Sequence, residues 1–520
     1  METTRATRRE WLGLAVLALP TLLLSLDVSV LYLALPQLSA DLGADATEQL
    51  WILDIYSFLL AGFLVTMGTL GDRVGRRRLL LIGAAAFGVV SVVAAYADSP
   101  AMLIAARALL GVAGATLMPS TMALIRNMFR DPRQMATAFG IWMACFMGGM
   151  AVGPLIGGAL LATFWWGSAF LLGVPFMVLL LVAGPALLPE YRDASAGRLD
   201  LVSVGLSLAA ILPVIYGLKE FARGGWDVVP AVAVAVGAAA GVVFVRRQRR
   251  LASPLLDLRL FANRTFTGAL GIGLAIGIIM AGISLTSTLF MQTVRGLSPL
   301  QAGLWLLPQS VAMAVGMMAS PALAQRIRPA YLMAGGLVVS TIGLFTQTLA
   351  DVDGGVAPVV VGLTLAAVGI TPTMTLSMNL IMGSAPPEKA GSAASLSETS
   401  GEFGIAVGVA TLGSLAAVAY RASLDVPAGT PAAVEQAARG GITDAFVAAQ
   451  RLGGPLGAEL LDAARSAFTT GVVTVAAVGG VLFAGLAVLA MVAFRRMPPT
   501  GEAGAAEAGA ERREVVGSAA

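Results

Sequence analysis

No histidine occurs among the 520 residues, and cysteine occurs once, at Cys145. A single cysteine excludes an internal disulfide and any cysteine-cluster metal site. Without histidine, proton chemistry in this chain must run on carboxylic acids. Charge is also scarce: Asp, Glu, Lys and Arg make up 12% of the chain, against roughly 25% in an ordinary soluble domain. With 57% hydrophobic residues and a mean hydropathy of +0.84, a soluble globular protein of this length is excluded. The net charge of +3 sits in turns and tails, and no compact basic domain exists. Nucleic-acid binding therefore has no support. The 61 glycines and 25 prolines are spread through the apolar runs, as in packed membrane helices rather than low-complexity sequence.

Apolar windows predict about 14 membrane helices, near 11–36, 47–70, 79–97, 101–126, 134–162, 167–189, 200–219, 228–245, 265–293, 299–323, 330–350, 356–382, 391–420 and 467–494. The first run is too long for a cleaved signal peptide, so it reads as an uncleaved span. With the N-terminus inside, roughly 25 of the 33 Lys and Arg fall on the cytoplasmic side, as the positive-inside rule requires. Moving the count by one helix would invert that bias. The expected architecture is an all-α, multi-pass membrane protein with both termini cytoplasmic. It has a six-helix bundle in 1–190, two extra helices in 191–264 and a second six-helix bundle in 265–496. A large outside loop, 421–466, carries Asp444, Glu459 and Asp462, and part of it is expected to form short amphipathic helices. Residues 497–520 have the composition of a disordered cytoplasmic tail.

Four patterns occur in order along the chain. The turn Gly68-Thr69-Leu70-Gly71-Asp72-Arg73-Val74-Gly75-Arg76-Arg77-Arg78 interrupts two apolar runs with one acid and four arginines. Before it, Leu26-Asp27-Val28-Ser29 leads through Ala34-Leu35-Pro36. Arg107-Ala108-Leu109-Leu110-Gly111 follows in the fourth helix, and Gly149, Gly153, Pro154, Gly157 and Gly158 in the fifth. Together they resemble the signatures of the Major Facilitator Superfamily, and within it the 14-helix drug/proton antiporter branch. Ser29 stands where that branch has Thr, and Leu110 where Gln is frequent. Leu50 to Ser57 and Ser397-Glu398-Thr399 look like the quaternary-ammonium and dye exporters of Gram-positive bacteria and their relatives. The resemblance implies two six-helix bundles with two inserted central helices, no cofactor beyond the proton gradient, and a monomer. It also implies that Asp72, Arg73 and Arg76, with Gly68 and Gly75, form an inner gate between the bundles. The alternative for these arginines is a plain topology marker. Gly149, Gly153 and Gly157 recur every four residues on one helix face, where a neighbouring helix can approach closely. Pro154 removes a helix hydrogen bond and permits a bend; tight packing alone is the competing reading.

Acids inside the spans are the sharper signal, because an unpaired charge there costs at least ~2.5–3.5 kcal/mol. Asp27 lies about 22 Å up the first helix and Asp54 about 10 Å from the far end of the second, at 1.5 Å per residue. Arg107, the only clear intramembrane cation, matches that depth, so a structural Asp27–Arg107 pair competes with a transport role for Asp27. Simple hydration competes for Asp54. Glu398 and Glu402 are four apart on one face of the thirteenth helix. Glu398 is the leading candidate for proton or substrate binding, and a helix-packing hydrogen bond is the alternative for Glu402. Carboxylic acids excluded from water and set close together hold protons to higher pH, and an arriving cation can displace them.

Tyr56 and Trp142 are candidates to stack on cations. Met374, Met378 and Met382 recur every four residues, so Met374 and Met378 either line an adaptable pocket or fill core. Asn379 is a polar mid-span residue. Trp51, Trp165 and Trp166 have the placement of interfacial anchors. The leading expectation is a proton-coupled exporter of lipophilic cations (quaternary ammonium compounds, dyes, biguanides), with protons and membrane lipids as its other partners and no metal. An exporter of one antibiotic or metabolite, and a proton-coupled importer, are the alternatives. With no catalytic triad in the spans, an enzyme is not expected. Met313 stands where dication exporters carry a further acid, which speaks against dications.

Overall fold

A computed structural model describes residues 6–44, 46–192, 200–224, 227–251, 254–386, 390–495 and 497. The tail predicted for 497–520 lies almost wholly outside the described residues.

The described chain is helical from end to end. In order the helices are α1 (Arg8–Leu42), α2 (Ala46–Val74), α3 (Arg76–Ala95), α4 (Pro100–Met128), α5 (Pro132–Thr163), α6 (Ser168–Leu171), α7 (Gly173–Leu187), α8 (Leu201–Gly224), α9 (Val228–Gln248), α10 (Arg264–Leu289), α11 (Pro299–Trp305), α12 (Leu307–Arg326), α13 (Pro329–Gln347), α14 (Ala357–Ser384), α15 (Ala390–Ser423), α16 (Ala432–Gly440), α17 (Ile442–Leu452) and α18 (Gly454–Phe494). Starts follow ordinary capping chemistry. Ser99 accepts from the Met102 N–H ahead of Pro100, and Asp131 accepts from the Arg133 N–H ahead of Pro132, each satisfying a donor that a helix start leaves open.

Thirteen helices or helix pairs among the described residues are long and apolar enough to cross a membrane. The apolar 32-residue α5 completes the fourteen. Two predicted spans are interrupted. Pro175 and Pro308 cannot donate to the carbonyls four residues back, so α6 breaks from α7 at Leu172 and α11 from α12 at Leu306. The predicted loop 421–466 is mostly helix: α16, α17 and the first turns of α18, which begins at Gly454-Pro455 well before the expected residue 467. Its alanine-rich sequence has high helix propensity.

In the first bundle α1 packs on α5 and α7, α2 on α4, and α3 on α4 and α7. In the second, α10 packs on α15, α14 and α18, and α13 on α14 and α18. The bundles meet where α5 lies on α12 and where α15 crosses α2 and α4. The inserted α8/α9 pair docks through α8 onto α2 and α15, one helix of each bundle. Phe58 and Ala61 of α2 bury against Ile215 of α8. Arg247 donates to Asp200 from Nε at 2.8 Å, closing the pair at one end. Together with the Ser203 hydroxyl, that guanidinium holds the Asp200 carboxyl well below the usual carboxylate range. Its stabilisation is present above the ordinary carboxylate pKa and disappears only as pH falls through the depressed value, so the pair stays charged at any physiological pH.

Candidate functional site

Arg107 is the centre of the polar interior. It is 1% exposed, and its Nη1 donates to Asp27 Oδ2 at 2.6 Å while Nε donates to the Ile52 carbonyl at 3.2 Å. The guanidinium carbon lies 4.5 Å above the Tyr56 ring and 6.0 Å from that of Phe170. Three helices therefore converge: α1 supplies the acid, α2 a carbonyl and a ring, α4 the cation. Gly111 permits this, since a Cβ there would collide with the Tyr56 carbonyl. The depth match seen in the sequence is thus an actual ion pair, and the Tyr56 ring face is already covered by Arg107. The Tyr56 hydroxyl is buried and has no hydrogen-bond partner among the described residues. Asp54, half-buried, lies a little over half a turn from both Ile52 and Tyr56, so helical geometry puts it on another face of α2.

From the second bundle, α15 brings Glu402 within electrostatic reach of Tyr56, as are Asp27 and Arg107. Glu398, one turn along, interacts electrostatically with Glu402. Both carboxyls are half-buried. The structure thus links Asp27, Arg107, Tyr56, Glu402 and Glu398 across the line where the bundles meet. Ser397, next to Glu398, donates to the Met378 sulfur at 3.9 Å. Met378 and Met374 close with Trp142, Phe139, Met143 and Met317 around a void of about 10 Å³. That space is shut to all but a water molecule. Asn379 is not part of this box and lines a larger cavity near the arginine-rich end.

At that end, Arg76 is fully buried and its Nε donates to Asp72 Oδ1 at 2.9 Å, with Nη2 on the same oxygen. Its backbone N–H donates to the Tyr191 carbonyl at 2.9 Å. Gly68 is buried and Arg73 half-buried. Gly75 adopts φ +120°, and a Cβ there would lie 2.5 Å from Glu190 Oε1. The close approach and the left-handed backbone both require glycine. Glu190 also pairs with Arg77 and Arg78 at 3.6 and 3.7 Å. The sequence reading missed Glu190, whose only signal is an isolated acid just past a span. It also missed Arg126, whose Nη2 donates to the Ala385 carbonyl at 3.1 Å, joining α4 to the end of α14.

Gly149, Gly153 and Gly157 are all buried. A Cβ on Gly149 would collide with the Ser25 hydroxyl and lie 2.8 Å from the Leu22 carbonyl. The glycine face of α5 thus seats α1 one turn before Asp27. The side chain of Pro154 lies outside the described residues. Trp166 differs from its expected interfacial placement: it is 5% exposed, packed edge-on to Phe170 at 6.4 Å.

The profile of the Major Facilitator Superfamily matches residues 17–409. The chain is 44% identical over 494 residues to the multidrug efflux pump LfrA of Mycolicibacterium smegmatis, covering 95% of this chain and 98% of that one. It is 34% identical to the methyl viologen resistance protein SmvA of Salmonella typhimurium, over 88% and 93% of the two chains. Identity to the puromycin resistance protein pur8 of Streptomyces alboniger is 32%, over 82% and 85%. Among solved structures, a bacterial homologue of the human lysosomal transporter Spinster superposes with a TM-score of 0.57 at 17% identity, covering 94% and 98%. The human organic anion transporter MFSD10 superposes at 0.55 and 15%, covering 91% and 98%; both likenesses concern the fold. With the ordered motifs, the paired bundles and these full-length matches, the chain belongs to the Major Facilitator Superfamily.

Proposed function

We propose that this transporter is a proton-coupled antiporter in the cell membrane that exports lipophilic cationic drugs, with the arginine-rich end and both termini in the cytoplasm. The observation that carries the reading is the Glu398–Glu402 pair of α15, set against Tyr56 of the opposite bundle. Two neighbouring acids between moving bundles can hold a proton or a cation, and binding of one releases the other. Moving one positive charge out against a negative interior costs ~2.3 kcal/mol per 100 mV. Protons entering down their gradient supply that work. Asp27, held by Arg107, serves in this scheme as the fixed counter-charge. Asp54 and Glu402 are secondary proton sites; Asp72, Arg73 and Arg76 form the inner gate, and Gly68, Gly75, Gly149, Gly153, Pro154 and Gly157 let helices slide past it. Tyr56, Trp142, Met374, Met378 and Asn379 border the drug path.

The multidrug and methyl viologen resistance relatives favour a broad cationic range. Methyl viologen is a dication, so the absence of an acid at Met313 does not by itself decide against doubly charged drugs. The puromycin relative favours a second reading, export of one antibiotic. The test is ethidium uptake into everted vesicles energised by respiration. Glu398→Gln is expected to lower proton-driven uptake at least tenfold while leaving the amount of folded protein unchanged. Undiminished uptake in that variant would remove the pair from the coupling. A panel of singly and doubly charged drugs, with puromycin included, separates the broad reading from the narrow one.

A further inference from the structure

A cavity of about 620 Å³ opens between the bundles at the arginine-rich end, well inside the ~300–1,000 Å³ range of small-molecule sites. Its polar lining is Arg126, Asn127, Arg130 and Arg133 from the junction of α4 and α5, facing Gln325 of α12 and Asn379 of α14, with Tyr191 beside them. Phe129, Leu376 and Leu380 supply an apolar wall. No carboxylate lines it among the described residues. Asp131, the acid in the junction itself, is turned to capping α5. Arg126 Nε, Asn127 Nδ2 and Asn379 Oδ1 are buried and lack hydrogen-bond partners among the described residues. An arginine that only marks topology is satisfied by water. It need not border a void between two bodies where three polar atoms go unanswered. A second cavity of about 440 Å³ adjoins this one through Asn127 and Arg130 and adds both Arg9 and the acid Glu10, so the anion site is confined to the first cavity.

We propose that this cavity binds a phosphate-bearing anion, its phosphate on the arginines and any acyl chain along the apolar wall. Guanidinium groups match phosphate oxygens in geometry and charge, whereas a cationic drug would be repelled here. Of the residues assigned to the drug path, the site shares only Asn379. Because α4 and α5 form one side and α12 and α14 the other, a bound anion ties the bundles together. It favours the conformation in which this end is closed. The chemistry fits the headgroup of an anionic phospholipid and a free phosphate equally.

The experiment reads binding without transport, so its failure is independent of the exchange mechanism above. The full chain is placed in phosphatidylcholine nanodiscs, with either phosphatidylglycerol or inorganic phosphate titrated in, and thermal unfolding is followed. Protection by phosphatidylglycerol alone assigns a lipid headgroup; protection by phosphate as well assigns a free anion. In either case the exposed-side variants Arg130→Gln and Arg133→Gln are each expected to weaken the protecting affinity about tenfold (~1.4 kcal/mol). Arg249→Gln, an exposed arginine after α9, is expected to leave it unchanged. Absence of protection by both additives, or equal protection in all three variants, overturns the proposal.

Discussion

Single side chains decide whether the buried charges act or merely hold the helices together. Arg107 reaches Asp27, the Ile52 carbonyl and the Tyr56 ring at once, whereas Asp27 depends on Arg107 for its charge compensation. The two halves of the pair therefore differ in what their removal leaves behind. Arg107→Gln strands a carboxylate and is expected to cost about 3–5 kcal/mol, the range for breaking a buried ion pair. Asp27→Asn leaves an arginine that keeps a carbonyl and a ring, and is expected to cost less. The double variant should recover part of the loss, because neither charge then remains. Thermal unfolding of the purified proteins checks the order; equal losses for the two single changes would mean that the pair is not the main compensation. This pair was legible in the sequence, since only one cation shares the depth of the intramembrane acids. Glu190 and the Ala385 carbonyl were not. A lone acid past a span carries no pattern, and a backbone acceptor has no residue identity to read.

Helix contacts turn on glycine in a way that the spacing announced and the structure resolves. Two adjacent glycines of α5 make opposite demands. A Cβ on Gly149 would run into Ser25 and Leu22 of α1, whereas one on Gly148 would meet nothing within 4 Å. Gly149→Ala is expected to push α1 from α5, costing about 1–3 kcal/mol as overpacking does. It should also lower transport, because α1 carries Asp27. Gly148→Ala is expected to leave transport intact and add about 0.5–1 kcal/mol of helix stability. Unfolding and drug efflux measured on both variants check the contrast, and a neutral Gly149→Ala would refute the close-contact reading. The fourteen spans were readable from apolar length, because a bilayer demands ~20 residues per crossing. The docking of α8 onto both bundles was not, since apolar length says where a helix crosses and nothing about which neighbours it meets. The short helices expected within 421–466 are present as α16 and α17, but the early start of α18 at Gly454 was not legible, because a polar helical extension lacks the long apolar run that identifies a span.

In the proposed exchange the bundles part at one end while staying closed at the other, and two of the contacts described between them in the arginine-rich half bear on that parting. Arg126 reaches the Ala385 carbonyl, and α5 lies against α12 with Gly140 at the crossing, where a Cβ would sit 3.0 Å from the Met317 carbonyl. The chain carries its own reporter for this seam. Cys145, its single cysteine, is half-buried on α5 five residues beyond Gly140, about 7.5 Å along the helix at 1.5 Å per residue. Gly140→Leu places a side chain where only backbone fits, so the wedge raises the energy of the closed arrangement relative to the parted one and shifts the population accordingly. A membrane-impermeant maleimide applied to everted vesicles, whose outer face is the arginine-rich side in the proposed orientation, is expected to modify Cys145 slowly in the parent protein. In Gly140→Leu the rate should rise about tenfold, the population shift that ~1.4 kcal/mol of destabilisation produces. Gly148→Ala, three residues from the cysteine but facing open space, controls for local loosening of α5. If the wedge leaves the labelling rate unchanged, the α5–α12 crossing is not the seam that opens, and closure of this end must rest on the Arg126–Ala385 contact instead.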